Sequence, residues 1–261
     1  MQSIWSVPRV SWRGINVWKR NLEVFCKTWK VNFFPPFIEA LLYLFAFGLG
    51  LGTYVGAIEG VPYVSYIAPA ILAITAMNSA FFECTYGSYV RMYYQKSFDA
   101  IIATPLSIED VIAGELLWGA TRSVISVTIM LPVLAVFGVI SMPSSLLAIP
   151  LAFLAGLTFA GIAMCFTAIT PSIDTLNYPA FLFITPMMLF SGTFFPLSIL
   201  PEILQYIALA VFPLTHTVAL MRMATLPFTD ALLPLHIVWI LVATIIFCVI
   251  SINLMRRRLI V

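Results

Sequence analysis

Glu39, Glu83, Glu115 and Arg122 fall inside stretches that are otherwise apolar. A charge in such a place is costly in hydrocarbon, so these groups pair with one another or face a polar path. Arg122 follows Glu115 by seven residues, which puts both on nearly one face of a helix. Glu83 precedes Arg91 by about 12 Å of helical rise. A Glu83–Arg122 or a Glu115–Arg122 pair would lower the cost of each charge. Two uses fit that pattern: an ion pair locking helices together, and a polar lining for a translocated molecule. A proton relay needs a longer chain of titratable groups than this. Further along, Glu202, His216 and Arg222 suit contact with a sugar or an anionic headgroup, although side chains snorkelling to a membrane interface have the same composition.

Other chemistries lack their residues. The sequence has no GxxxxGK[ST] phosphate loop and no Gly-Lys pair, so this chain is not expected to bind ATP or any other cofactor itself. HExxH, GxSxG and clustered acid pairs are also missing, which argues against hydrolysis. The two histidines, His216 and His236, are twenty residues apart and are not expected to bind metal. Cys26, Cys84, Cys165 and Cys248 are scattered through apolar stretches and read as packing residues.

The elements that must position these residues follow from composition. Of 261 residues, 62% are hydrophobic and 9% charged, against about 25% charged in soluble domains. Such a chain cannot clothe a water-facing surface, and its apolar runs are continuous, so an all-α membrane protein is expected. Six spans are predicted, at Asn32–Val55, Tyr63–Val90, Ile108–Val139, Leu146–Thr170, Leu176–Phe195 and Leu232–Met255. They form one transmembrane domain covering 1–261. Pro35 and Pro36 are expected to break the chain before the first span, while Pro132 and Pro186 offer kink sites.

Basic residues set the orientation. Arg9, Arg13, Lys19, Arg20, Lys27 and Lys30 precede the first span, Arg91 and Lys96 follow the second, and Arg256, Arg257 and Arg258 follow the last. Loops around Gly56–Pro62 and Ser141–Ser145 have none, which places both termini in the cytoplasm. The formal net charge of +2 is spent on topology and implies no nucleic-acid partner. No cleavable signal peptide is expected.

Three further segments stand out. In Ser11–Lys30, Trp18, Leu22, Phe25 and Trp29 share a narrow helical arc opposite Arg13, Arg20 and Lys27, as in a helix lying on a membrane or packed on a partner. After the second span, Phe98, Ile101 and Ile102 make one apolar face of a short helix over residues 97–104 that Pro105 ends. That face suits either the chain's own helices or a partner. Ser107 and Asp110 then resemble a capping box leading into the third span. Residues 196–231 are too apolar for a free loop and suit two short re-entrant helices divided at Pro213. Gly48, Gly50, Gly52, Gly156 and Gly161 allow close helix approach.

Several stretches together resemble the ABC-2 type export permeases, and within them the NodJ-type permeases of lipo-oligosaccharide export. They are Trp18-Lys-Arg-Asn21, Tyr43–Gly52, Ala76–Glu83, Arg91-Met, Ala103-Thr-Pro-Leu106, Asp110–Glu115 and Thr185–Pro196, continuing through Leu200-Pro-Glu, Pro213-Leu-Thr-His216 and Arg222. The resemblance implies an interface helix built on Trp18, Leu22, Phe25 and Trp29, and a coupling helix carrying Phe98, Asp99, Ile101, Ile102 and Pro105. It also implies a separate NodI-like ATP-binding subunit holding ATP and Mg, a permease homodimer, and an amphipathic substrate moved across a bacterial inner membrane among its lipids. A drug or polysaccharide exporter, and an ion-coupled secondary transporter, are the alternative readings.

Overall fold

The structure, a computed structural model, describes residues 8, 10–227 and 231–259, so Arg9 and residues 228–230 of the 196–231 connection lie outside the described residues. The chain is almost entirely helical. α1 (Ile15–Lys27) leads to α2 (Trp29–Val55), a two-residue β1–β2 hairpin (Ala57–Ile58 and Val61–Pro62) and α3 (Tyr63–Tyr94). The short α4 (Ser97–Ile102) precedes α5 (Ile108–Val136) and α6 (Ser144–Ile169). α7 (residues 177–190), α8 (Glu202–Val211), α9 (Pro213–Thr225) and α10 (Leu233–Leu259) complete the chain. Among the described residues five helices, α2, α3, α5, α6 and α10, are long and apolar enough to cross a membrane.

Burial sorts these helices. α3 is apolar all round, as a central helix must be, and 78% of its apolar window is buried, against 17% for α2. α5, α6 and α9 pack on α3, and α10 packs on α6. Gly156 lets α6 close on α5, where an added Cβ would sit 2.8 Å from Ala120 Cα, and Gly161 does the same against Phe247 of α10 at 3.1 Å. Gly48 and Gly50 make no comparably close approach to another helix, so the expected small-residue contact is built by α6 and not by α2.

Two expectations change. Pro35 and Pro36 lie inside α2, and the break falls earlier, at Thr28 (φ −113°). Membrane helices carry proline where neighbours compensate the freed carbonyls, and Pro36 is buried against the bundle. The segment expected as a span at Leu176–Phe195 is helical only to Phe190, shorter than the ~20 residues a span needs. Gly192, at φ 73°, takes the left-handed conformation just past its end. α8 and α9 meet at an angle of 87°, with Pro213 at the first position of α9, as expected for two short helices divided there.

Among the described residues four stretches wind as π-helix: Leu44–Leu51 in α2, Glu83–Gly87 and Val90–Tyr94 in α3, and Ala180–Ile184 in α7. Each replaces i→i+4 by i→i+5 bonding and so carries an extra residue per turn.

Candidate functional site

The depth charges meet where α1, α3 and α5 come together. Glu115 of α5 is fully buried, and its carboxylate is saturated. Asn21 Nδ2 donates to Oε1 at 2.8 Å, and Ser88 Oγ to Oε2 at 2.7 Å. Arg91 donates to Oε2 twice, from Nε at 2.9 Å and Nη2 at 2.6 Å. The third nitrogen of Arg91 reaches Glu83 Oε1 at 2.8 Å, and Arg122 Nε lies 3.4 Å from Glu83 Oε2. Arg20 Nη2 approaches Glu115 at 3.7 Å. Three guanidinium groups and two carboxylates thus form one network.

Of the pairs expected from sequence, Glu83–Arg122 forms. Glu115 takes Arg91 and not Arg122. The two π turns explain this, because wider turns place residues 83, 87 and 91 nearly above one another. Gly87 leaves room for the bridge: a Cβ there would lie 2.9 Å from Glu83 Oε1 and 3.4 Å from Arg91 Nη1. Arg91, read in sequence as a topology marker, is the residue that joins the network.

α1 supplies a wall of the site. Val17 and Asn21 face α5 along with Gly14, and a Cβ on Gly114 of α5 would lie 2.6 Å from both Gly14 O and Val17 Cβ. Trp18 Nε1 donates to Thr121 Oγ1 at 2.8 Å. Phe25 meets the Trp118 ring edge-on at 5.7 Å and lies beneath the Arg122 guanidinium at 5.0 Å. Leu22 is half-buried, while Trp29 belongs to α2 and is exposed. The aromatic arc of α1 is therefore seated largely on the chain's own third long helix.

Two cavities flank the network. One, of about 600 Å³, is lined by Arg20, Asn21, Phe25, Glu83, Arg91 and Arg122 among others. The second, of about 350 Å³, lies between α2, α3 and α5 and holds Glu39, Asn78, Ser79 and Ser126. They share Asn32, Glu83, Gly87 and Arg122, so a polar cleft passes the Glu83–Arg122 pair and continues to Glu39. Glu39 accepts a long bond from Thr75 Oγ1, 3.4 Å.

The capping box of α5 is complete. Asp110 N–H donates to Ser107 Oγ, and Asp110 Oδ2 accepts from Ser107 N–H, both at 3.1 Å. Asp110 Oδ1 accepts from Ser11 N–H at 2.5 Å, and Arg13 Nη1 donates to Pro105 O at 3.0 Å. In α4, Phe98 is wholly buried and Ile101 and Ile102 are half-buried, packed against the chain's own core. That answers the question left open by the sequence: the apolar face is used internally, and Asp99, Ala100, Ala103, Thr104 and Pro105 are exposed.

At the far end of the bundle, Glu202 is exposed on α8, while His216 is fully buried. His216 Nε2 lies 2.9 Å from Leu209 O and must donate to it, so in the neutral ring Nδ1 accepts from His236 Nδ1–H at 2.7 Å. The His216 ring stacks on Trp239 at 4.3 Å. Arg222 is placed elsewhere, with its guanidinium 3.9 Å above the Tyr66 ring. Cys84 is buried as expected of a packing residue, whereas Cys26 is exposed.

Known proteins resemble this chain along most of its length. Residues 15–226 match the ABC-2 type transporter family. Nodulation protein J of Sinorhizobium fredii is 35% identical over 253 residues, covering 97% of this chain and 96% of that protein. Nodulation protein J of Rhizobium meliloti is 34% identical over 254 residues, 97% of each chain. The inner membrane transport permease YadH of Escherichia coli is 22% identical over 191 residues, 73% of this chain and 74% of its own. No solved structure matches the chain. A match running through α1, the charged network and the bent pair α8–α9 leaves one conclusion: the chain belongs to the ABC-2 type transporter family.

Proposed function

We propose that this transporter subunit is the permease of an ATP-driven exporter that moves a lipo-oligosaccharide or a similar amphipathic glycan or lipid outward across a bacterial inner membrane. Both termini lie in the cytoplasm. A sixth crossing is made by α7 together with residues 171–176 that lead into it, since α7 alone is too short, and α8–α9 form a re-entrant element on the outer side. A separate, NodI-like ATP-binding subunit carries ATP and Mg, and two permease copies flank the path. The family and the named relatives support the transport class; the glycan substrate rests on the resemblance to the permeases of lipo-oligosaccharide export.

One observation carries the mechanism. Asp110 caps α5 through Ser107 and also receives the Ser11 backbone, while Arg13 holds the turn at Pro105. Exposed positions on α4 and at its end, notably Asp99 and Ala103, offer the partner subunit a handle. Force applied there passes through Pro105 and the capping box into α5, with α1 moving alongside as one body. α5 carries Glu115 and Arg122, so the same displacement acts on the polar cleft. An amphiphile entering from the inner leaflet would place its polar part in that cleft, past Glu83 and Arg122 toward Glu39.

Tagged at its own locus, the chain is expected to co-purify an ATP-hydrolysing subunit carrying a GxxxxGK[ST] loop. Asp99→Arg combined with Ala103→Arg should lose that subunit and its stimulated ATP hydrolysis at unchanged permease yield. Retention of both would overturn the coupling assignment. Transport that persists without ATP and collapses with the proton gradient would overturn the exporter reading.

A further inference from the structure

A cavity of about 420 Å³ lies at the end of the bundle opposite the charged network, among the β1–β2 hairpin, α3, the 191–198 turn and α9. Its walls include Glu59, Tyr66, Ser191, Thr215, Arg222 and His236. Four buried polar atoms there have no hydrogen-bond partner: Tyr66 Oη, Ser191 Oγ, Thr215 Oγ1 and Arg222 Nε. Tyr66, Ser191 and Thr215 are only 0%, 1% and 2% exposed. Buried polar groups are ordinarily satisfied, and four orphans around one cavity need an explanation.

The guanidinium is held ready. Arg222 Nη2 donates to Gly192 O at 2.6 Å, and the group lies 3.9 Å above the Tyr66 ring. Gly192 presents that carbonyl from a backbone at φ 73°, where a side chain would be strained. Nε is left as a fixed donor. Glu59, at the tip of the hairpin with φ 51°, adds a carboxylate to the same wall. A wall with one guanidinium, one carboxylate, the His236 ring and four hydroxyls, Ser198 supplying the fourth, has nearly balanced charge and offers both donors and acceptors. An anion would meet Glu59 as well as Arg222. Neighbouring hydroxyl groups, each donor and acceptor at once, satisfy all the orphans without that conflict, and the cavity is within the ~300–1,000 Å³ range of small-ligand sites.

We propose that this cavity is a binding site for a neutral, hydroxyl-rich group of the saccharide type. It rests on the exporter reading only in being placed on the exit side, where it would receive the polar head of the cargo.

The full-length chain in lipid nanodiscs, with no ATP-binding subunit added, tests this by titration with hexyl glucoside, hexyl phosphate and hexanol. Hexyl glucoside should bind saturably, and Ser191→Ala and Thr215→Val should each weaken it roughly two- to tenfold. Because these hydroxyls have no protein partner, both variants should melt at or above the wild-type temperature. Attachment of a membrane-impermeant maleimide to Thr215→Cys should be slowed by hexyl glucoside and not by hexyl phosphate. Protection by hexyl phosphate instead, equal protection by hexanol, glucoside binding unaffected by both substitutions, or lowered melting of both would each overturn the proposal. Since no ATP is involved, failure of the exporter reading leaves this titration unchanged, and failure here leaves ATP-driven transport unchanged.

Discussion

Removing either charge of the Arg91–Glu115 pair should destabilise the bundle far more than removing both. Glu115 has no exposure to water and accepts four hydrogen bonds, two of them from Arg91. Glu115→Leu leaves Arg91 with Glu83 and a 3.3 Å bond to Ser88 Oγ, and takes the acceptor from Asn21 Nδ2 and from the Ser88 hydroxyl. Arg91→Met leaves a buried carboxylate held only by Asn21 and Ser88, with Arg20 at 3.7 Å. Breaking a buried pair from one side costs about 3–5 kcal/mol. At about 2–4 °C per kcal/mol, either single variant should melt roughly 6–20 °C lower. Arg91→Met with Glu115→Leu removes both buried charges and leaves mainly the polar orphans, for a loss of about 1–3 kcal/mol. The reporter is already in place: Cys84 is buried, with Sγ 3.6 Å from Glu115 O. A thiol-reactive dye in a background with Cys26, Cys165 and Cys248 replaced by serine, which removes one exposed and two half-buried thiols, therefore follows opening at the network itself. Additive losses, with the double variant near the sum of the singles, would refute the pairing, as would a Glu115→Leu melting point within a degree of wild type.

Three further outcomes follow from the geometry. Gly114→Ala drives a methyl to within 2.6 Å of Gly14 O and Val17 Cβ, so α1 should lift from α5 at a cost of about 1–3 kcal/mol, read as faster proteolysis within residues 11–28. Gly87→Ala crowds Glu83 Oε1 at 2.9 Å and should loosen the Glu83–Arg91 bridge, lowering the melting temperature of the wild type but much less that of Glu83→Gln. Ser107→Ala removes the cap on Asp110 N–H and should cost about 0.5–2 kcal/mol, with hydrogen exchange rising at residues 108–111 first.

Hydropathy alone located the long helices, because hydrocarbon selects against charge over about 20 residues at a time. The Ser107–Asp110 box was equally legible, since its bonds are local and tied to a fixed spacing. The partner of Glu115 was not. An α-helical reading separates Arg91 from residue 83 both along the axis and around it, and the π turns that realign them leave no mark on residue type. The seat of α1 depends on Gly14 and Gly114, one hundred positions apart, each unremarkable until the two helices meet. Phe98 had the right spacing for an apolar face, but spacing does not say which neighbour that face meets. Tyr66, Ser191 and Thr215 belong to three segments far apart in the chain, and only the fold gathers them.

The π turns of α3 also bear on how the gene can vary. Loss of one codon in a surface loop is usually absorbed by the loop. Loss of one codon within residues 83–87 would let the turn revert to ordinary winding, with the helix still continuous and apolar. Glu83 and Arg91 would then be seven ordinary steps apart, about 700° at ~100° per residue, so the two still stand nearly above one another and Asp99 keeps its facing. Loss of one codon within the ordinary winding of residues 63–82 has no surplus residue to give up, and swings one part of α3 by about 100° against the other. Two deletions that hydropathy cannot tell apart thus differ in outcome: the wide turn absorbs one, and the other parts Glu83 and Arg91 from the neighbours that the rest of the helix meets.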